Sequence, residues 1–155
     1  MAGRIEARLK ELGIVLPAPA RPVANYVPFV VTGDLVVISG QVPIMDGKVA
    51  WHGKVGGAVS LEDGARACRQ CFINLLAQVR AACDGDLDRV VQVVRLGGFI
   101  ASAADFNEHA TVMNGASDLA VAVFGDSGRH ARTTVGVPSL PLDCPVEVEG
   151  MFRIA

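Results

Sequence analysis

The chain has 155 residues, of which 51 % are hydrophobic and only 19 % are charged, and its formal net charge is −2. This length suits one core, and we expect a single domain over residues 1–155 with a helical extension at 1–16. Singly scattered lysines and arginines and an acidic balance disfavour nucleic acid as a partner. No apolar run reaches the length of a membrane span and no signal peptide is indicated, which favours a soluble cytoplasmic protein without membrane association.

The first predicted elements are a helix and a hairpin. Ile5 and Leu9 stand at helical spacing, and Gly13 is expected to end this short amphipathic helix. A proline-rich connection follows, and two β-rich runs on either side of residues 32–34 then predict a β-hairpin. A further short strand is expected near residues 49–51.

Two long helices and three more strands complete the pattern. Ser60, with an aspartate three residues later, indicates the start of a helix that continues to about Ala82. Residues 87–101 predict a central strand, and a second helix is expected over about 105–124, capped from Ser102 onward. The order β-β-(β)-α-β-α-β-β predicts an α+β domain with two helices on one face of a mostly antiparallel sheet.

The cysteines do not predict a metal site. Cys68 and Cys71 form a C-x-x-C motif, which by itself is a weak indication. A structural zinc site needs a second ligand pair at suitable spacing, and Cys83 and Cys144 do not supply one. We therefore interpret the cysteines as small apolar residues in a reducing compartment, and we expect no metal.

The most informative charges lie in the last two strands, within RHARTTVGVPSLPLDCPVEVEG at residues 129–150. Strand alternation places Arg132 and Thr134 on one face of the first strand, and Glu147 and Glu149 on one face of the second. If the intervening valines pack on the helices, the arginine and both glutamates are expected on the helix-free face. Because the chain is so apolar, that face is expected to meet another subunit. A guanidinium there can pair with a glutamate or bind a ligand carboxylate bidentately, and the residues alone leave both alternatives open.

Two sequence blocks extend this interpretation: YVPFVVTGDLVVISGQVP at 26–43 and ARTTVGVPSLPLDCPVEVEG at 131–150. Their order and spacing around two helices resemble the RidA (YjgF) family of reactive-intermediate deaminases, also labelled endoribonuclease L-PSP, and the resemblance covers about residues 22–155. It implies a chorismate-mutase-like α+β fold, assembled as a homotrimer with clefts between subunits. It also implies hydrolysis of a small 2-imino acid, or its enamine tautomer, to a 2-oxo acid and ammonia without a cofactor or metal.

The resemblance implies roles for individual residues. The family's carboxylate-binding arginine corresponds to Arg132, and its glutamate, implicated in positioning water, corresponds to Glu147. The cleft tyrosine and serine correspond to Tyr26 and Ser39, and Gly40 lies beside the serine. The serine and the backbone near the glycine would hydrogen-bond the substrate nitrogen or the water. An imine is already activated, so this chemistry requires no nucleophilic triad.

Two positions depart from the family pattern. Thr134 stands where the family often has a cysteine, although its hydroxyl can still donate a hydrogen bond to a substrate. Ala110 stands where the deaminases often carry an asparagine, and Asn114 lies one turn further on.

These departures motivate an alternative function, a non-catalytic or regulatory trimer that binds a small carboxylate. A third alternative, an endoribonuclease, is disfavoured by the acidic composition. The roles of the N-terminal helix and of Glu149 stay unassigned.

Overall fold

The structure, a computed structural model, describes residues 3–21 and 24–155. Five longer strands form a mixed sheet in the order β1-β2-β7-β5-β6, and β3 with β4 forms a separate two-stranded sheet. The short strand expected near 49–51 is therefore outside the main sheet. The elements are α1 (Arg4–Glu11), β1 (Phe29–Thr32), β2 (Leu35–Gln41), β3 (Ile44–Met45), β4 (Lys48–Val49), α2 (Leu61–Ala82), β5 (Val90–Ala101), α3 (His109–Phe124), β6 (Ala131–Val137) and β7 (Val146–Ile154).

The main sheet is antiparallel except at one edge. β5 and β6 are parallel, whereas the other neighbouring strands run antiparallel. A parallel pair requires a crossover connection, and α3 supplies it between the end of β5 and the start of β6. The predicted α+β class is confirmed, and the parallel exception concerns the strand that carries Arg132.

The helices cover one face of this sheet. α2 packs on β2 and β7, α3 packs on α2, β5 and β6, and α1 packs on α3, so three helices rather than two share this side. Along β7 the valines Val146 and Val148 are buried, whereas Glu147 and Glu149 are partly exposed. The valine face is thus the helix-covered face, as predicted from the alternation.

The starts of the two long helices differ in how they are capped. The N–H of Asp63 donates to the hydroxyl oxygen of Ser60 over 3.1 Å, which is the predicted cap of α2. α3 begins at His109, later than the predicted residue 105, and no side chain caps it. Ser102 cannot serve as that cap because it still belongs to extended backbone after β5, and its hydroxyl instead hydrogen-bonds His109 Nε2 over 3.1 Å.

α1 is an integral part of the domain. Ile5 and Leu9 are buried in the core, and the backbone N–H groups of Arg4 and Ile5 each donate to the carboxylate of Asp88 over 2.8 Å. A residue distant in the chain thereby satisfies two of the amides that a helix start leaves unpaired. Gly13, with φ of +70°, follows the end of α1 as predicted.

The C-x-x-C motif lies on the core side of α2. Cys68 and Cys71 are fully buried, and all four cysteines are free. Burial raises the pKa of Cys68 to about 12, so this thiol stays protonated. Within residues 3–21 and 24–155, no three His, Cys, Asp or Glu side chains are arranged to hold a metal, and no helix there has the length and apolarity to span a membrane.

Candidate functional site

Arg132 lies at the sheet edge, and α3 holds its guanidinium. Nη1 donates to Asn114 Oδ1 over 2.8 Å and to Ser117 Oγ over 3.1 Å, and Nη2 donates to the carbonyl of Ala110 over 3.3 Å. The three acceptors stand at helical spacing on one face of α3. A guanidinium has five N–H groups, so Nε–H and one N–H of Nη2 find no acceptor among the described residues. The exposed side chain therefore offers two donors to an incoming carboxylate.

The prediction that Arg132 lies on the helix-free face is wrong. Arg132 is in register with Leu96 of β5, which is in register with Gly150 of β7, and this row faces the helices. Glu147 is in register with Phe99 and belongs to the opposite face. Alternation groups the residues of a strand into two faces, but pairing decides which face meets the core. Here the parallel pairing with β5 turns the arginine toward the helices, where α3 supplies its acceptors.

Thr134 lies two residues beyond Arg132 on the same face of β6. Its Oγ1 is buried and has no hydrogen-bond partner among the described residues. Gly98 permits close packing here, because an added Cβ would overlap Met113 Sδ and lie 3.4 Å from the Thr134 methyl. A buried hydroxyl without a partner is uncommon, and this one retains its full hydrogen-bonding capacity beside the arginine.

A second polar group lies where β2 meets β7. Between Ile38 and Gln41, β2 has one residue more than the facing part of β7, which makes a β-bulge at Ser39 and Gly40. The bulge brings Gly40 against the side chain of Glu147, because a Cβ at this glycine would overlap Glu147 Oε1. Any larger residue at position 40 would therefore have to displace the Glu147 carboxylate.

Ser39 ties the preceding loop to the bulge. Its hydroxyl donates to the carbonyl of Val27 over 2.7 Å, and its backbone N–H donates to the carbonyl of Pro28 over 2.9 Å. Tyr26 directly precedes Val27 and is exposed. Because the hydroxyl hydrogen of the serine is already used, Ser39 can offer a ligand only the lone pairs of its oxygen.

Glu147 is half-buried, and its surroundings alter the protonation of its carboxyl. Burial, followed by the nearby negative charge of Glu149, raises the pKa of the Glu147 carboxyl above its ordinary value. Glu149 itself pairs with Arg95 over 3.2 Å, which accounts for a glutamate that the sequence left unassigned. No described residue hydrogen-bonds the Glu147 carboxylate. The pKa of this carboxyl is therefore shifted upward, toward neutral pH, which suits a general base.

The predicted site residues therefore form two groups. The arginine group consists of Arg132 and Thr134 with Asn114 and Ser117 of α3, and the glutamate group consists of Glu147, Gly40, Ser39 and Tyr26. Because Arg132 and Glu147 lie on opposite faces of the sheet, one chain does not bring the two groups together. The sequence had singled out Asn114 without assigning it a contact, and it missed Ser117, because a serine inside a helix carries no signal of its own.

The chain is similar to proteins of one family along nearly its whole length. The family described as "YjgF/chorismate_mutase-like, putative endoribonuclease" matches residues 6–151. Protein TCP17 of Trypanosoma cruzi is 44 % identical over 154 residues, which cover 99 % of this chain and 96 % of TCP17. The crystal structure of Atu1372 from Agrobacterium tumefaciens is 47 % identical, with a TM-score of 0.92, and the match covers 97 % of this chain and 92 % of that one.

A further relative carries an enzyme name. The 2-iminobutanoate/2-iminopropanoate deaminase of Dermatophagoides farinae is 30 % identical over 141 residues, which cover 91 % of this chain and 94 % of that protein. The resemblance found in the two sequence blocks is confirmed by these comparisons. From its sequence match and its fold, the chain belongs to the YjgF/chorismate-mutase-like family.

Proposed function

We propose that the protein is an imine deaminase that hydrolyses a small 2-imino acid to the 2-oxo acid and ammonia. The observation that carries this proposal is the guanidinium of Arg132, which α3 holds through three hydrogen bonds while two of its N–H groups stay available. Two donors on one rigidly held guanidinium suit a carboxylate substrate. The similarity to a 2-iminobutanoate/2-iminopropanoate deaminase supports the same substrate class.

Glu147 supplies the proton transfer in this proposal. Water adds its oxygen to the imine carbon, and the carboxylate accepts the proton that the water releases. With the substrate in its iminium form, this addition leaves a neutral carbinolamine. Glu147 then returns the proton to the carbinolamine nitrogen, and the C–N bond breaks to release ammonia. The hydroxyl gives its proton to the Glu147 carboxylate and becomes the carbonyl of the 2-oxo acid. The raised pKa of Glu147 favours both halves of this cycle, because the group must gain and then lose a proton.

We also infer that the site is completed by a second copy of the chain. The two groups lie on opposite faces of the sheet, and β6, which carries the arginine group, is an edge strand. The helix-free face exposes Val37 (39 %) and Val135 (43 %), which suits burial against another copy. In a closed ring of three copies, the glutamate group of one copy would meet the arginine group of the next.

Turnover is tested by generating 2-aminoacrylate or 2-iminobutanoate enzymatically and following its decay. A hydrogen bond to a charged group contributes about 1.5–3 kcal/mol, so losing two in Arg132→Ala is expected to lower kcat/KM by roughly 100-fold or more. Arg66→Ala removes an exposed arginine of α2 and is the matched control. Decay no faster than in buffer with the wild-type protein would overturn the deaminase proposal. Binding of 2-oxo acids without turnover would instead favour the non-catalytic trimer.

Sharing of the site between copies is tested by complementation. Arg132→Ala and Glu147→Gln are expected to be inactive when each is expressed alone. When the two are co-expressed, roughly a quarter of the clefts in randomly mixed rings combine an intact arginine with an intact glutamate. Activity that appears only in the mixture supports the shared site. An inactive mixture whose assembly has the same mass in solution as the wild-type assembly contradicts it.

A further inference from the structure

A chain of hydrogen bonds continues beyond the contacts of Arg132. Ser117 Oγ, which accepts from Arg132 Nη1 over 3.1 Å, lies 2.9 Å from His130 Nε2. His130 Nδ1 in turn lies 2.6 Å from the carbonyl oxygen of Gly128. The serine belongs to α3, and the histidine directly precedes β6, so the chain connects the two elements on which the arginine group is built.

When the His130 ring is neutral, the direction of every hydrogen bond in this chain follows from its end. A carbonyl oxygen can only accept, so His130 Nδ1 must carry the hydrogen, and Nε2 of the neutral ring must be the acceptor. Ser117 then donates its hydroxyl hydrogen to Nε2. Its oxygen lone pairs are left for the guanidinium of Arg132, which can only donate. Each donor in the chain therefore meets an acceptor, from the Gly128 carbonyl to the guanidinium of Arg132.

We propose that Ser117 and His130 are positioning residues, which fix the orientation in which Arg132 presents its two remaining N–H groups to a carboxylate. This inference rests on the proposed function. Arginine side chains have many rotamers, and holding Nη1 at two acceptors reduces the freedom lost when a ligand binds. Without the histidine, the serine hydroxyl can rotate, and its oxygen no longer points its lone pairs toward Nη1.

The chain contains a matched pair that serves as a control. Ser102 Oγ and His109 Nε2 are also a serine–histidine hydrogen bond, at 3.1 Å, and both residues are half-buried. Neither hydrogen-bonds Arg132. Ser102→Ala therefore removes the same kind of interaction from the same side of the sheet without touching the guanidinium.

The first experiment needs no ligand. ¹⁵N NMR is expected to show the hydrogen of the neutral His130 ring on Nδ1. The side-chain Nε–H signal of Arg132 is expected to be ordered in the wild type and in Ser102→Ala, and averaged by motion in Ser117→Ala. An Nε2-protonated His130, or an arginine signal that does not change in Ser117→Ala, would overturn the positioning role whether or not the protein is a deaminase.

The second experiment measures binding of 2-oxobutanoate by calorimetry. Ser117→Ala is expected to raise Kd about tenfold, the effect of one hydrogen bond to a charged group, and Ser117→Thr is expected to restore binding. His130→Phe is expected to raise Kd by a smaller factor, because it removes only the neutral hydrogen bond that orients the serine. Ser102→Ala is expected to bind as the wild type does. Unchanged Kd in Ser117→Ala, with binding lost in Arg132→Ala, would contradict the inference. If the wild type binds no 2-oxo acid, the proposed function fails, and the NMR result alone decides the positioning role.

Discussion

Gly40 passes so close to Glu147 that a single methyl group on the glycine would overlap the carboxylate oxygen Oε1. We expect Gly40→Ala to displace this side chain. The cost should lie at the low end for overpacking, about 1 kcal/mol, because the carboxylate ends a flexible side chain that can move aside. Shortening the side chain in Gly40→Ala/Glu147→Ala removes the overlap. Denaturant unfolding of the wild type, both single variants and the double variant measures the coupling. Additive free energies of unfolding would show that the two residues are not in contact.

The raised pKa of Glu147 predicts the pH dependence of turnover. A base is active when deprotonated, so kcat/KM is expected to fall on the acidic side at a pH above the ordinary glutamate pKa of about 4.3. Glu149→Gln removes the like charge that helps to raise this pKa, and the acidic limb should move to lower pH. A pH–rate series with Glu62→Gln, an exposed glutamate of α2, as control checks this. If the acidic limb of the pH–rate profile shifts equally in Glu149→Gln and Glu62→Gln, it reports the titration of a group other than Glu147.

The same pKa predicts a trade-off between stability and activity. Because the pKa of Glu147 is raised in the folded state, its ionised form opposes folding at neutral pH. Glu147→Gln is expected to be more stable than the wild type at pH 7 while losing activity. This difference should shrink as the pH falls to the ordinary glutamate pKa and both folded and unfolded carboxyls become protonated. Thermal unfolding at pH 7 and pH 4 measures it, and a variant less stable at pH 7 would contradict the prediction.

Packing of α2 against α3 depends on Gly115. A Cβ at this glycine would overlap the backbone carbonyl of Ala65 on α2, and a helix backbone cannot move aside as a side chain can. Gly115→Ala is therefore expected to cost about 1–3 kcal/mol despite the better helix propensity of alanine. Thr111→Ala, on the exposed side of α3, should change the free energy of unfolding by no more than about 0.5 kcal/mol. Equal effects of the two substitutions would show that the helices are not in contact at Gly115.

Asp88 stabilises the start of α1 in a pH-dependent manner. The N–H groups of Ile5 and Arg4 lower the pKa of this carboxyl, so its stabilisation is present at neutral pH and is lost as the pH falls below the ordinary aspartate value of about 3.9. Asp88→Ala is expected to cost about 0.5–2 kcal/mol at pH 7, the effect of losing a helix cap. The exposed Asp105 supplies the control Asp105→Ala. A cost that persists unchanged at pH 2.5 would exclude the carboxylate as its origin.

Local chemistry explains which predictions from the sequence were confirmed. Ser60 caps α2 because the hydroxyl needs only an amide three residues away, and Val146 and Val148 mark the core face because an apolar side opposes a charged one. β6 offers no such contrast, since Thr133 and Thr134 stand on its two faces. Which face of the sheet Arg132 occupies therefore depended on the strand that pairs with β6. The order of elements did not reveal that strand.

The contacts of the candidate site depended even more on tertiary structure. Ser117 and His130 are 13 residues apart and belong to different elements, and neither has a neighbour in sequence that suggests a hydrogen bond to an arginine. The bulge at Gly40 likewise becomes visible only when β2 is paired with β7. In both cases the chemistry of single residues was readable from the sequence, whereas their partners required the register of the sheet.

The contact between Asp88 and α1 has a consequence for the order in which the protein is made. The helix at residues 4–11 is translated before Asp88, and the carboxylate that accepts from its first amides follows 83 or 84 residues later. An eight-residue helix is too short to persist alone in water. This segment can therefore form a stable helix only after residue 88 has been synthesised, so α1 is expected to join the domain after elements that are translated later than it is.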